Sequence, residues 1–445
     1  MARVVVVGAG YAGVMAANRL ATVGRSAASV TVVNPRPEFV ERVRLHEHAV
    51  GVTNAVRPLS GLLHRDVRLR VAAVEAIDER SVRLDDGGAL DFDYLLYAVG
   101  STAARGVAGA ENAWSIADLD GAESLRTRLR HLAAGARVVV VGGGLTGIES
   151  AAEIAYRYPT LHVELVSRSV AAGLPDTSRA ALERKLVQAG VLVRTGLRVT
   201  GVRPDGVDTA AGRLPSDCTV WAGSFDVPDL ALRSGLPVTS DGRLRTDETL
   251  VCTGHRRIVG VGDAVAPPAH VGGHLRMSCQ AAMPLGAHGA DTVLALIRGE
   301  RPAPVSIGMV GQGISLGRRD GFVQATHRDD TPRGFVLSGR AAAVVKERVC
   351  RFTVAAMRFP RAYRWLPGAV PTGSAPPRPQ PDEQRSAFRR DKSSRPDPAG
   401  TTPTTWKRKE HQHEGRHRVR LRVAWQYEED RRRHGPRPQG DCGRP

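Results

Sequence analysis

The sequence predicts an α/β fold with two parallel-sheet units in one chain, and three observations carry the prediction. Four valines at 4–7 run into Gly8-Ala9-Gly10-Tyr11-Ala12-Gly13 and then an Ala-rich stretch ending at Leu20. The same order of strand, glycine turn and helix returns over 138–153, VVVVGGGLTGIESAAE, with Gly142, Gly144 and Gly147 at the same spacing. Two further apolar runs, 94–98 and Cys218–Trp221, end in the small-residue turns Val99-Gly100-Ser101 and Ala222-Gly223.

A run of valines suits a strand buried on both faces. In a G-x-G-x-x-G turn the first glycine permits the tight bend. The second lets backbone approach a pyrophosphate, and the third lets helix pack on strand. The following helix then directs its unpaired N–H groups at the phosphate charge. One such motif is weak evidence, whereas two in one chain predict two Rossmann-like domains and two dinucleotide cofactors that meet. The first turn offers Gly8, Ala9, Gly10, Tyr11, Ala12 and Gly13 to its cofactor, and the second offers Gly142, Gly144, Thr146 and Gly147.

Taken in order, the chain continues with a strand over 29–33 that ends at Asn34, where this fold usually sets a carboxylate against an adenosine ribose. An amide can still donate and accept there. Arg36, Arg42 and Arg44 follow, suited either to a solvated loop and helix face or to cofactor phosphates. Strands are predicted over 67–77 and Ser81–Leu84. The buried strand 94–98 then brings Ala98 and Gly100 as further cofactor-binding residues. A helix over 119–133 leads into the second glycine turn. Beyond it, a strand over 161–166 precedes Ser167-Arg168-Ser169, where ribose selectivity would be set.

An amphipathic helix over 178–189 stops at Gly190. Short strands follow over Val191–Arg194, 197–202, Gly206–Thr209 and Cys218–Trp221, the last placing Ala222 and Gly223 at its turn. From about residue 244 a strand over 258–261 leads to Gly262-Asp263, and a helix over 277–297 opens through Ser278. Residues 305–340 alternate glycine with apolar side chains, as strands of a third layer would. Over 344–359, Val345, Val349, Phe352, Ala356 and Phe359 fall at helical spacing with arginines between them. Such a face suits an anionic membrane or the protein's own core, and the second is the expectation here.

The totals set outer limits. With 445 residues, 42% of them hydrophobic, two or three domains with ample core are expected. No apolar run approaches a membrane span, and the N-terminus enters a strand without room for a secretory signal. A cytoplasmic location is expected, with peripheral contact at the membrane face left open. The five cysteines are scattered without a C-x-x-C pair, so neither a metal site nor a local redox disulfide is expected. The net charge of +18 divides between a body and a tail. Residues 371–445 hold 18 basic and 10 acidic side chains and 11 of the 28 prolines. That composition predicts disorder. A basic body favours anionic partners without choosing among them.

The glycine motifs, the turns Ala98-Val99-Gly100-Ser101 and Trp221-Ala222-Gly223-Ser224, and VGVGDAVAP over 259–267 come in a telling order. Together they resemble the flavin-dependent pyridine nucleotide oxidoreductases with two dinucleotide-binding domains, type II NADH dehydrogenase in particular. The resemblance covers about residues 1–365 and implies FAD at the first motif and NADPH or NADH at the second. It further implies that the nicotinamide domain, 106–239, is inserted into an FAD domain made of 1–105 and 240–300. A small C-terminal α+β region, 301–368, would follow, then the tail 369–445. Asp263, after Gly262, would hydrogen-bond the ribityl hydroxyls of the flavin. Glu149 would lie near the nicotinamide and flavin rings, and the helix from Ser278 would direct its positive end at the flavin.

Two departures sharpen the reading. Quinone-linked members carry A-Q-x-A-x-Q where this chain has Cys279-Gln280-Ala281-Ala282-Met283-Pro284, which keeps the first glutamine as a candidate catalytic residue, Gln280, and replaces the second. Where the family sets a ribose-binding carboxylate, Ser167 and Arg168 stand instead, which favours NADPH. The expected activity is an FAD-dependent oxidoreductase that takes hydride from NAD(P)H and passes electrons to a quinone or other small acceptor. The alternative is a slow nucleotide-sensing or nucleic-acid-binding flavoprotein.

Overall fold

The computed structural model describes residues 1–103 and 106–369. The disordered tail expected from the sequence lies outside these residues from 370 onward. The valine run forms β1 (Ala2–Val7), which pairs in parallel with β2 (Ala28–Asn34) on one side and β4 (Tyr94–Tyr97) on the other. Val4 stands beside Val30 and Tyr94. β3 (Val67–Val71) adds to β2, and β11 (His255–Gly260) adds to β4. β10 (Val251–Cys252) closes that edge antiparallel. The sheet order is therefore β10-β11-β4-β1-β2-β3.

A second sheet lies between β4 and β10 in the chain. It comprises β5 (Trp114–Ser115), β6 (Arg137–Val141), β7 (His162–Val166), β8 (Val191–Arg194) and β9 (Cys218–Trp221), in the order β5-β9-β6-β7-β8 and parallel throughout. In both sheets the glycine-turn strand is central. Its next strand lies on one side and the returning strand on the other, so each sheet has a crevice at the strand ends where the order reverses. One Rossmann-like domain is thus inserted into another.

The halves of the first domain are locked by two helices. In α1 (Tyr11–Arg19), Val14 to Ala17 are fully buried, and α6 (Cys279–Ile297) crosses it. Gly286 of α6 approaches so closely that a Cβ there would meet Ala12 O at 2.3 Å. Ser278 caps α6, its Oγ accepting the Ala281 N–H at 3.3 Å, which fixes where that helix starts.

Local differences from expectation have local causes. The strand predicted over 67–77 breaks after the last ladder bond, Ala72 N–H to Asn34 O, because the Ala73 N–H turns away to the Asp85 carboxylate. The helix predicted over 119–133 ends as α3 (Leu119–Arg130), and the one predicted over 178–189 is α5 (Asp176–Gln188). C-terminal strands β12 (Gly311–Ser315), β13 (Gly321–Thr326) and β14 (Pro332–Ser338) form an antiparallel sheet under α7 (Arg340–Arg358). Here one expectation is overturned. The stripe Val345, Val349, Phe352 and Phe359 does not dock on the core but is exposed, Phe352 by 61% and Phe359 by 67%. The buried face of α7 is instead Ala342, Cys350, Thr353, Val354, Ala356 and Met357.

Candidate active site

The two glycine turns are nearly superposable in their contacts. Gly8 has φ +100°, and a Cβ on it would meet Ala98 O at 2.5 Å. Gly142 has φ +126°, and a Cβ on it would meet Ala222 O at 2.2 Å. A Cβ on Gly13 would meet Gly8 O at 1.9 Å, and one on Gly147 would meet Gly142 O at 2.0 Å. Only glycine fits these four positions, for reasons internal to the fold. Gly10 and Gly144 differ: a Cβ on either would meet nothing within 4 Å. Their backbone borders open space at the start of α1 and of α4 (Leu145–Arg157), and neither helix has a side-chain cap. Free N–H groups facing an open concavity fit a pyrophosphate. Ala9, Tyr11 and Ala12 line the first turn and Thr146 the second, with Ala98, Gly100, Ala222 and Gly223 on the adjoining strand ends.

Asn34 is committed to shaping the first turn. Its Oδ1 accepts the Ala9 N–H at 2.9 Å and its Nδ2 donates to Arg36 O at 2.8 Å. Behind Gly262, the Asp263 Oδ2 accepts the Ser101 hydroxyl at 2.9 Å. Burial pushes this carboxyl up, against the opposing pull of Ser101, Arg42 and the Ser278 amide. Asp263 thereby ties the turn after β4 to the start of α6. Its second oxygen has no side-chain donor among the described residues, which suits a ligand hydroxyl. Arg42 donates to Ser101 O. Arg44 is otherwise engaged: its guanidinium meets Glu47 at 3.0 Å, Glu347 at 2.9 Å and Glu41 at 3.3 Å.

Arg44 belongs to a buried charge network whose members are far apart in the chain. Glu149, 5% exposed on α4, accepts the Ser315 N–H at 2.9 Å and lies 3.0 Å from Lys346 Nζ. Burial disfavours the Lys346 ammonium, but the Glu149 charge leads the opposing contributions, its hydrogen bond among them, and the Lys346 pKa stands above the ordinary lysine value. Lys346 also donates to Gly313 O at 3.0 Å. His46 Nδ1 approaches Glu149 at 3.9 Å. Arg318 bridges Glu47 at 2.9 Å and fully buried Glu153 at 2.5 Å. Burial pushes the Glu47 carboxyl up, yet the Arg318 hydrogen bond and the charges of His46 and Arg318 hold it at about 2. The network joins α2 (Leu45–Ala49), α4, β12 and α7.

Lys346 lies within the 344–359 stretch, whose apolar spacing does not point to a buried charge. One signal was available: among residues 1–369 only Lys185 and Lys346 are lysines, in a chain that otherwise uses arginine. Gln280, in the amide orientation that satisfies both its ends, donates to Gly311 O at 3.1 Å and accepts the Val310 N–H at 3.0 Å. In the second domain, Ser167 Oγ donates to Ser169 O at 2.8 Å, while Arg168 is exposed with no partner among the described residues. Glu164 is paired with Arg194 at 2.6 Å.

The Pyridine nucleotide-disulphide oxidoreductase family matches residues 2–286. An NADH dehydrogenase-like protein of Mycobacterium tuberculosis is 33% identical over 328 residues, covering 66% of this chain and 80% of its own. A demethylphylloquinone reductase of Synechocystis is 26% identical over 80% of this chain and 92% of its own. The sulfide:quinone oxidoreductase of Aquifex aeolicus shares the fold at TM-score 0.70 and 19% identity, over 81% of this chain and 92% of that one. Family match, paired cradles and inserted sheet agree: the chain belongs to the pyridine nucleotide-disulphide oxidoreductases and is an oxidoreductase of the NADH dehydrogenase-like kind.

Proposed function

We propose that this protein is an FAD-dependent NAD(P)H:acceptor oxidoreductase whose acceptor is a quinone or a similar small molecule. The single observation that carries the reading is the pair of matching open cradles, over Gly10 and Gly144, with the Asp263 carboxylate beside the first. On this reading 1–105 and 240–300 hold FAD, and 106–239 hold the nicotinamide nucleotide. FAD, when bound, supplies two-electron acceptance from the nicotinamide and release of electrons to the acceptor.

The protein's own groups bind, orient and neutralise. The N-terminal N–H groups of α1 and α4 receive the two pyrophosphates, and Asp263 takes ribityl hydroxyls. Arg168, with the Ser169 hydroxyl, offers donors to a 2′-phosphate and no carboxylate to repel it. Glu149 and Lys346 meet where α4, β12 and α7 converge. We assign Lys346 Nζ the holding of a proton near the rings, with Glu149 keeping it charged. The Gln280 amide is committed to backbone, so it braces the start of α6 against 310–311 instead of meeting acceptor.

The activity named for the Synechocystis relative supports the quinone class of acceptor. Peripheral membrane contact is part of the proposal, supported by the exposed apolar stripe and interleaved arginines of α7. Among the described residues no helix is long and apolar enough to cross a membrane. The test is steady-state oxidation of NADPH and NADH by flavin-loaded protein with a soluble quinone and with an artificial dye. Turnover with the quinone supports the assignment, turnover with the dye alone removes the quinone, and turnover with neither rejects the activity.

A further inference from the structure

A second concave site lies at the opposite end of the first sheet from the glycine turn. It is a cavity of about 970 Å³ bordered by the turn at 21–26, the start of β2, residues 64–68 before and within β3, and the end of α7 over 358–362. The six residues of β1 separate it from Gly8 by about 20 Å of strand. It is therefore separate from both cofactor cradles.

Its lining is dominated by one charge. Arg25, Arg65, Arg68, Arg358 and Arg361 contribute five guanidinium groups, and Asp66 is the one carboxylate among them. Asp66 is already shared by Arg65 at 3.9 Å and His64 at 3.5 Å. Arg25, Arg68, Arg358 and Arg361 have no carboxylate within 4 Å among the described residues. All five arginines are solvent-exposed, and like charges clustered around one concave surface attract anions.

The walls are held in place without such an anion. Arg19 binds Asp291 at 2.7 and 2.9 Å and donates to Pro360 O at 2.6 Å. Arg358 donates to Gly61 O at 3.2 Å. These bonds pin the segment after α7 to α1 and to the 59–61 turn, so the backbone that carries Arg358 and Arg361 is fixed in place. Guanidinium is the side chain best matched to phosphate, through paired parallel hydrogen bonds.

We infer that this cavity binds a ligand carrying two or more clustered phosphate charges. The volume accommodates a nucleotide-sized molecule. The same chemistry is offered by a free diphosphate and by an anionic phospholipid headgroup, and the experiment separates the two sources. Full-length protein loaded with FAD and saturated with NADP⁺, so that both cradles are filled, is titrated calorimetrically with inorganic pyrophosphate. In parallel it is pelleted with phosphatidylglycerol vesicles and with phosphatidylcholine vesicles. Both assays are repeated on Arg68→Ala/Arg361→Ala and on Arg25→Ala, each checked for unchanged melting temperature and NAD(P)H oxidation.

Pyrophosphate binding weakened about tenfold or more in the variants, about 1.4 kcal/mol, establishes the site with a free ligand. Loss of phosphatidylglycerol binding in the variants establishes it with the lipid source. If neither ligand distinguishes the variants from the parent protein, the inference is overturned.

Discussion

Lys346 Nζ lies 3.0 Å from Glu149 Oε1, a contact between a helix of the inserted domain and the last helix described. Both side chains are deeply buried, at 16% and 7% exposure. Removing one partner leaves the other as an uncompensated buried charge. Lys346→Met and Glu149→Gln should each cost about 3–5 kcal/mol of unfolding free energy. The double variant should recover a substantial part of the summed loss. Urea unfolding of all four proteins measures this, and strict additivity would show that the pair is not coupled.

The sequence was informative wherever geometry is set by adjacent residues. The glycine turns, β1, β2, β9 and α6 were legible because valine runs, glycine spacing and the Ser278 cap act within a few positions. The network around Glu149 was not. Its members come from 41–57, 149–153, 315–318 and 346–347, and nothing local distinguishes a paired glutamate from a solvated one. The burial of α7 was misread for a related reason. Periodicity identifies an amphipathic helix, but two faces of α7 carry apolar residues, and only tertiary packing selects Val354 and Met357 over Val349 and Phe352.

Glu47 makes the acid stability of the network measurable. Its carboxyl is held at about 2 in the folded protein against an ordinary 4.5. A depressed folded-state pKa contributes stability that is fully present above about pH 4.5 and lost as pH falls toward 2. At roughly 1.4 kcal/mol per pH unit, the contribution is on the order of 3 kcal/mol. Glu47→Gln should therefore lower stability at neutral pH and flatten its decline below about pH 4.5. Denaturant midpoints across that range decide it, and an unchanged slope would contradict the assignment.

The middle and last glycines of each turn should fail differently. Gly13→Ala forces a Cβ to within 1.9 Å of Gly8 O and should destabilise even the flavin-free protein, by about 1–3 kcal/mol. Gly10→Ala meets no protein atom within 4 Å, so flavin-free stability should hold while FAD retention falls. Melting temperature and bound flavin after gel filtration separate the two. Normal FAD retention in Gly10→Ala would place the pyrophosphate elsewhere.

On the proposed reading, nicotinamide preference is set at Arg168, exposed at the tip beyond β7, with Glu164 paired to Arg194. NADPH should be used at least as efficiently as NADH, and Arg168→Glu should shift the ratio of kcat/KM values toward NADH. A strong NADH preference in the unmodified protein would contradict this.

The central claim is that the two cradles hold a flavin and its reductant in one reactive assembly. The most direct measurement is the visible absorbance of the FAD-supplied, gel-filtered protein under anaerobic conditions, before and after addition of NADPH or NADH. The account predicts one flavin retained per chain and loss of its absorbance band on addition of the nucleotide. Absence of retained flavin, or a retained flavin whose band neither nucleotide bleaches, would contradict it.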